Sequence, residues 1–221
     1  MCFGVVFVLV YYFLYFVVEF AAIGLAAILI GVVLMLMPSE VMPSEPIKAL
    51  LEGAVANIEC ILEEIAPQGK AVYCFIKDKV YAFVPVTINP VSADIIEAIK
   101  MPLRLIMNVE GSDLLAIIPP APFREFPAEG DAESLLDSII VNLMELADAV
   151  YLKKEGDYFV VRAIKPRFIG DYPRFTYSFG SLISCIAGTI LAWCYKTVVQ
   201  FEHETRLEKE LVAVYRVIEH E

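Results

Sequence analysis

Of the chain's 28 acids and 17 bases, a single one, Glu19, lies between Met1 and Ser39. The remaining 182 residues, from Glu40 to Glu221, carry every other charge. A stretch this empty of charge cannot be an ordinary soluble helix or sheet, because it has no polar face to offer water. Apolar residues make up 59% of the whole chain, above the roughly 45–50% usual for a soluble domain. Most of that excess falls in the first 37 residues. The distribution excludes a simple soluble globule and a disordered chain. It also excludes a polytopic transporter, since everything after Ser39 is of mixed polarity.

From Cys2 to Met37 the apolar run is broken by Glu19 alone. One straight helix of that length would reach roughly 54 Å, against a hydrocarbon core of about 30 Å. Two arrangements fit. Either two spans of about 17 residues turn near Glu19-Phe20, where the carboxylate sits at an interface, or one span runs near Phe20–Met37. The run lacks the features of a signal peptide: no Lys or Arg precedes it, and no small-x-small cleavage site ends it. It is expected to stay as an anchor. Five cysteines (Cys2, Cys60, Cys74, Cys185 and Cys194) are odd in number and lack framework spacing, which favours a reducing compartment. The expected location is the membrane, with the remainder of the chain in the cytoplasm.

The organisation read from these features is a transmembrane anchor over 1–37, a Pro-rich linker over 38–46 and a soluble α+β domain over 47–221. Ile47–Ile65 reads as an amphipathic helix, with Ile47, Leu50, Leu51, Ala54, Ile58, Ile61, Leu62 and Ile65 inward and Glu52, Glu59 and Glu63 outward. Ala71–Ile76 and Val80–Val84 form a hairpin around Lys77-Asp78-Lys79. Both strands are apolar on both faces, so the sheet should be covered on each side. Leu103–Val109 and Leu114–Ile118 make a second pair, with a short helix at Ser92–Lys100 before it. Asp131 caps a helix at Ala132–Ala147, with Leu136, Ile139, Ile140, Leu143 and Ala147 buried. Ala149–Lys153 and Tyr158–Ile164 form a further hairpin. Ser181–Tyr195, apolar nearly all round but short for a span, is expected as a buried core helix. Strands near Thr197–Glu202 and Glu210–Glu219, joined by the charged segment His203–Lys209, end the chain. These elements predict one α+β domain of mixed or antiparallel sheet with about three main helices.

Several short stretches in this order carry a resemblance. They are the Met37-Pro-Ser-Glu-Val-Met-Pro-Ser44 exit from the apolar segment, the strand ending Phe83-Val84-Pro85, and Leu114-Leu-Ala-Ile-Ile-Pro-Pro-Ala-Pro-Phe-Arg-Glu-Phe126. To these add the Leu135–Leu146 helix followed by Ala147-Asp148, and Tyr177-Ser-Phe-Gly-Ser-Leu182 leading into a helix of small residues. The pattern resembles a family of archaeal, N-terminally membrane-anchored proteins of uncharacterised function. The resemblance implies membrane attachment and an α+β domain, and brings no catalytic residues.

Chemical motifs are scarce. His203 is followed by Glu-Thr-Arg-Leu, so the His-Glu-x-x-His zinc pair is missing, and no two cysteines have metal or redox spacing. There is no glycine-rich phosphate loop and no nucleophile elbow around Ser181. Glu63-Glu64, Asp94/Glu97 and Asp131/Glu133/Asp137 read as caps or solvated charge rather than acid–base pairs. No catalytic residue, metal or cofactor is expected. One segment departs from the acidic background: Arg162, Lys165, Arg167 and Arg174 are interleaved with Phe168, Tyr172, Phe175 and Tyr177, opposed only by Asp171. Its ordinary reading is a loop whose arginines neutralise nearby acid. The sharper one is a contact for anionic lipid headgroups or an acidic partner, through Arg162, Lys165, Arg167, Arg174 and Tyr172. A net charge of −11 argues against nucleic acid. The expected function is a membrane-anchored, non-enzymatic module binding a protein partner, a ligand or a second copy of itself. The alternative is a membrane-associated enzyme using pocket carboxylates or a cysteine.

Overall fold

The computed structural model describes Val6, Ile28 and residues 44–87, 104–109, 111–121, 131–167 and 170–218. The chain divides into two compact units, Met1–Pro43 and Ser44–Glu221. In the first, Val6 and Ile28 are helical; the span or hairpin expected over 1–37 otherwise lies outside the described residues. So do the expected helix at Ser92–Lys100, most of the linker, and Cys2 and His220.

The second unit is an α+β fold. It begins with α1 (Ser44–Ile65), then β1 (Val72–Ile76), β2 (Lys79–Pro85), β3 (Ile106–Val109) and β4 (Ser112–Ile117). A short helix, α2 (Ala132–Leu136), continues as π-helical turns over Asp137–Leu143. There follow β5 (Ala149–Glu155), β6 (Tyr158–Ile164), α3 (Pro173–Phe179), α4 (Leu182–Tyr195), β7 (Val198–Arg206) and β8 (Glu210–Ile218). The eight strands form one sheet in the order β3-β4-β2-β1-β7-β8-β6-β5, and every neighbouring pair is antiparallel.

That order contains a tandem repeat. The first four strands lie as 3-4-2-1 and the next four as 7-8-6-5, so each half is a helix, a hairpin, a crossover and a second hairpin laid beside the second strand of the first. The pair β1–β7 joins the halves through Val72↔Gln200 and Tyr73↔Val199. The first hairpins of the two halves close on pairs Ile76↔Lys79 and Glu155↔Tyr158. Superposing these pairs matches Ala82 with Val161 and Val84 with Ala163, all on the helix-covered face.

The main core lies between that face and the helices. Leu51, Val55, Ile58 and Leu62 of α1 are buried at helical spacing, whereas Leu50, expected inward, is 76% exposed. Leu50 stands one residue off the stripe that the other four define. The core also takes Tyr73, Leu115, Phe159, Val161, Phe201 and Tyr215 from the strands. Helix α4 packs across β1, β2 and β7. Pro173–Tyr195 is long and apolar enough to cross a membrane, yet 89% of its most apolar part is buried within the fold. On the opposite face a second cluster, Val72, Cys74, Phe83 and Leu114, is also buried. This fits strands apolar on both sides.

Three expectations are corrected. Pro173–Phe179, read as part of a loop, is helical. The helix beginning at Ala132 is α-helical for only five residues before it widens into π turns, with Met144 N–H donating to Ile139 O five residues back. The charged segment His203–Lys209 is not a free connector: β7 extends to Arg206 and closes on β8 through Arg206↔Leu211. A β-bulge between Phe201 and His203 breaks the two-residue alternation there, which hides the strand from sequence periodicity.

Candidate functional site

The bulge has a structural effect at once. It turns Glu204, paired with Ala213, toward the helices. One Glu204 carboxylate oxygen accepts from Ser181 N–H and Ser184 Oγ, each at 2.6 Å; the other accepts from Arg206 Nε at 2.6 Å. Ser181 is the N-cap of α4, and its hydroxyl accepts from Ser184 N–H at 3.3 Å. Tyr215 donates its hydroxyl to Ser184 O at 2.6 Å. Burial pushes the Glu204 carboxyl up, but the bonds from Ser184, Ser181 and Arg206 outweigh it and hold the pKa below the ordinary carboxylate value.

Glu59 does a similar task on α1. Expected on the solvated face, it is 7% exposed, and its two oxygens accept from the N–H groups of Arg174 (3.0 Å) and Phe175 (2.6 Å). It thereby satisfies the first turn of α3, whose Pro173 has no N–H to offer. Sequence reasoning missed both buried glutamates. The one available signal was Glu59 beside Ile58 on the edge of an otherwise apolar stripe.

Between these two capped helix starts lies a cavity lined by Val55, Arg167, Tyr172, Thr176, Ser181 and Arg206, among others. Its volume is about 20 Å³, room for one water-sized molecule. A wide, shallow groove of about 390 Å³ lies nearby, lined by Ala66, Pro67, Gln68, Arg174 and Tyr177. Lys70 borders it, its ammonium 3.9 Å from the Tyr177 ring centre and its pKa lowered by burial.

The basic island does not gather into one site. Arg162 pairs with Glu210 at 3.5 Å; Lys165 and Arg167 share Asp148, each at 2.7 Å. Arg167 also donates to Glu145 O. Lys165 first, through its hydrogen bond, lowers the Asp148 pKa, and the Lys165 and Arg167 charges act with it. Arg174 lines the open groove instead, while Tyr172 is half-buried beside Glu52, burial and that carboxylate raising its pKa. Two arginines and one lysine therefore neutralise neighbouring acid at three of the four basic positions.

Burial holds three of the thiols in their protonated form. Burial pushes Cys185 up to about 12, and raises Cys74 and Cys194 as well. Cys60, in contrast to its neighbours, is exposed on α1. Among the described residues no group of three or more metal-ligating side chains converges. Ser184 is fully buried, and its hydroxyl bond to Glu204 ties the start of α4 to β7. No family model, curated protein or solved structure matches this chain. The resemblance to archaeal membrane-anchored proteins rests on the sequence motifs alone.

Proposed function

We propose that this chain is a membrane-tethered, non-enzymatic binding module. Residues 1–37 hold it in the bilayer, as a hairpin or a single span, and the domain beginning at α1 presents its surface to a protein partner in the cytoplasm. The observation that carries this is the near-absence of charge between Met1 and Ser39, against a chain whose other charges all follow. The domain's chemistry supports the binding half of the reading. Among the described residues, the buried glutamates Glu59 and Glu204 are bonded to helix starts, burial holds the Cys74 and Cys185 thiols protonated, and the cavity between the helix starts has room for one water-sized molecule.

The test is extraction of native membranes with alkaline carbonate. An integral anchor keeps the full-length chain in the pellet, and removing residues 1–37 sends it to the supernatant. Release of the full-length chain by carbonate would sink the reading.

A further inference from the structure

The tandem repeat leaves its two halves with different edges. In the first half, Ala71, Tyr73 and Phe75 turn their amides away from β2, because the closing pair Ile76↔Lys79 directs alternate residues inward. That outer edge is occupied by β7, with Phe201 N–H donating to Ala71 O at 2.9 Å. In the second half the matching residues are Val150, Leu152 and Lys154 of β5, fixed by the closing pair Glu155↔Tyr158. Among the described residues the sheet ends there. Among the described residues, the group that meets this edge is a Glu133 carboxylate oxygen, 3.5 Å from Leu152 N, a long contact easily exchanged for a carbonyl.

We propose that β5 is a self-association edge, pairing antiparallel with β5 of a second copy about a two-fold axis at Leu152. This rests on the reading of the domain as a protein-binding module and names the partner as the same chain. A two-fold pair is the commonest oligomer, and an unpaired edge is a ready template for it. The charges are compatible with this register. Centred on Leu152, Tyr151 faces the partner's Lys153, Val150 faces the partner's Lys154, and Ala149 faces the partner's Glu155. No like charges oppose each other, and each Lys153, whose ammonium pairs with Glu155 of its own strand at 2.6 Å, lies opposite an exposed tyrosine. A shift of the axis by one residue toward the hairpin would set Lys153 against Lys153 and is disfavoured. Tyr151 is 55% exposed and Tyr158, on the same face, 43% exposed, which leaves apolar ring surface for the contact to bury. Two lysines on an edge strand ordinarily discourage pairing; in this register neither of them meets a like charge.

The experiment is sedimentation equilibrium of the full-length chain in detergent micelles and in lipid nanodiscs. The parent should be a dimer in both. Tyr151→Lys sets like charges opposite at two places and should weaken dimerisation by about tenfold. Lys154→Pro removes one outward N–H per copy, leaves the β5–β6 bonds intact, and should weaken it by a similar factor. Adding Lys153→Glu to Tyr151→Lys restores an opposite-charge pair and should recover the dimer. Unchanged thermal unfolding of each variant shows that only association has moved. A monomeric parent, or a dimer indifferent to both single substitutions, overturns the proposal. Either result is independent of carbonate extraction, so the tether stands or falls separately.

Discussion

Glu204 contributes to stability in a way that depends on pH. Its side chain is 5% exposed, and its hydrogen bonds favour the charged form, so the folded pKa lies below the unfolded one. The contribution is therefore complete above the ordinary carboxylate range and is lost as pH falls through the folded pKa. Glu204→Gln keeps the shape but loses the charge and leaves one donor badly matched. It should cost about 2 kcal/mol near neutral pH, measured by urea unfolding, with the gap to the parent closing in strong acid. Gly180 beside it, with φ +76°, leaves no room for substitution, since a Cβ would come within 2.7 Å of Ser184 Cβ. Two buried tyrosines behave differently. Among the described residues Tyr73 Oη has no oxygen or nitrogen partner and only the weakly accepting Cys185 sulfur beside it, whereas Tyr215 Oη reaches Ser184 O. Tyr73→Phe should leave the urea midpoint unchanged or raise it slightly; Tyr215→Phe should cost about 1 kcal/mol. None of these roles was legible in the sequence. A glutamate on a helix flank and one in a charged run look solvated until partners 115 and 23 residues away are folded against them.

At the scale of elements, hydrophobic period carried most of the reading. α1, the hairpins at β1–β2 and β5–β6, and the buried character of α4 follow from spacing and from turn residues such as Lys77-Asp78 and Gly156. What failed lacks local signal. α3 is seven residues, of which only Arg174 is a strong helix former, and it depends on a carboxylate from α1 for its first turn. β7 lost its alternation at the bulge. The π turns after α2 preserve buried Ile139 and Ile140, so the sequence still reads as a plain helix. α4 shows packing overriding propensity. Gly188 lies so close to the Tyr73 ring that a Cβ would meet its carbons at 2.5 Å. Alanine would favour the helix by about 1 kcal/mol, but separating α4 from β1 should cost roughly 1–3 kcal/mol. Gly188→Ala should therefore lower the thermal midpoint, and Gly188→Ala combined with Tyr73→Leu should recover part of the loss.

Over the whole molecule, the repeat was invisible in the sequence because the halves kept only what faces the helices. Ala82 and Val161, Val84 and Ala163, Leu115 and Leu211 correspond and are all buried. On the other face the matched positions have opposite character: Val72 against Tyr151, Cys74 against Lys153, Phe83 against Arg162, Leu114 against Glu210. The first of each pair is buried within a second apolar cluster, while Arg162 is 55% exposed and paired with Glu210. Equal places in one topology thus impose unequal demands. Placing a guanidinium at Phe83 strands a charge on the buried cluster and should cost more than about 3 kcal/mol, abolishing cooperative unfolding near neutral pH. The reverse exchange, Arg162→Phe, forfeits a half-exposed ion pair of little net value and should change stability by less than about 1 kcal/mol. Urea titration of the two variants tests this directly. Comparable losses would mean that the outer faces of the two halves are covered alike, and that the asymmetry assigned to the repeat is false.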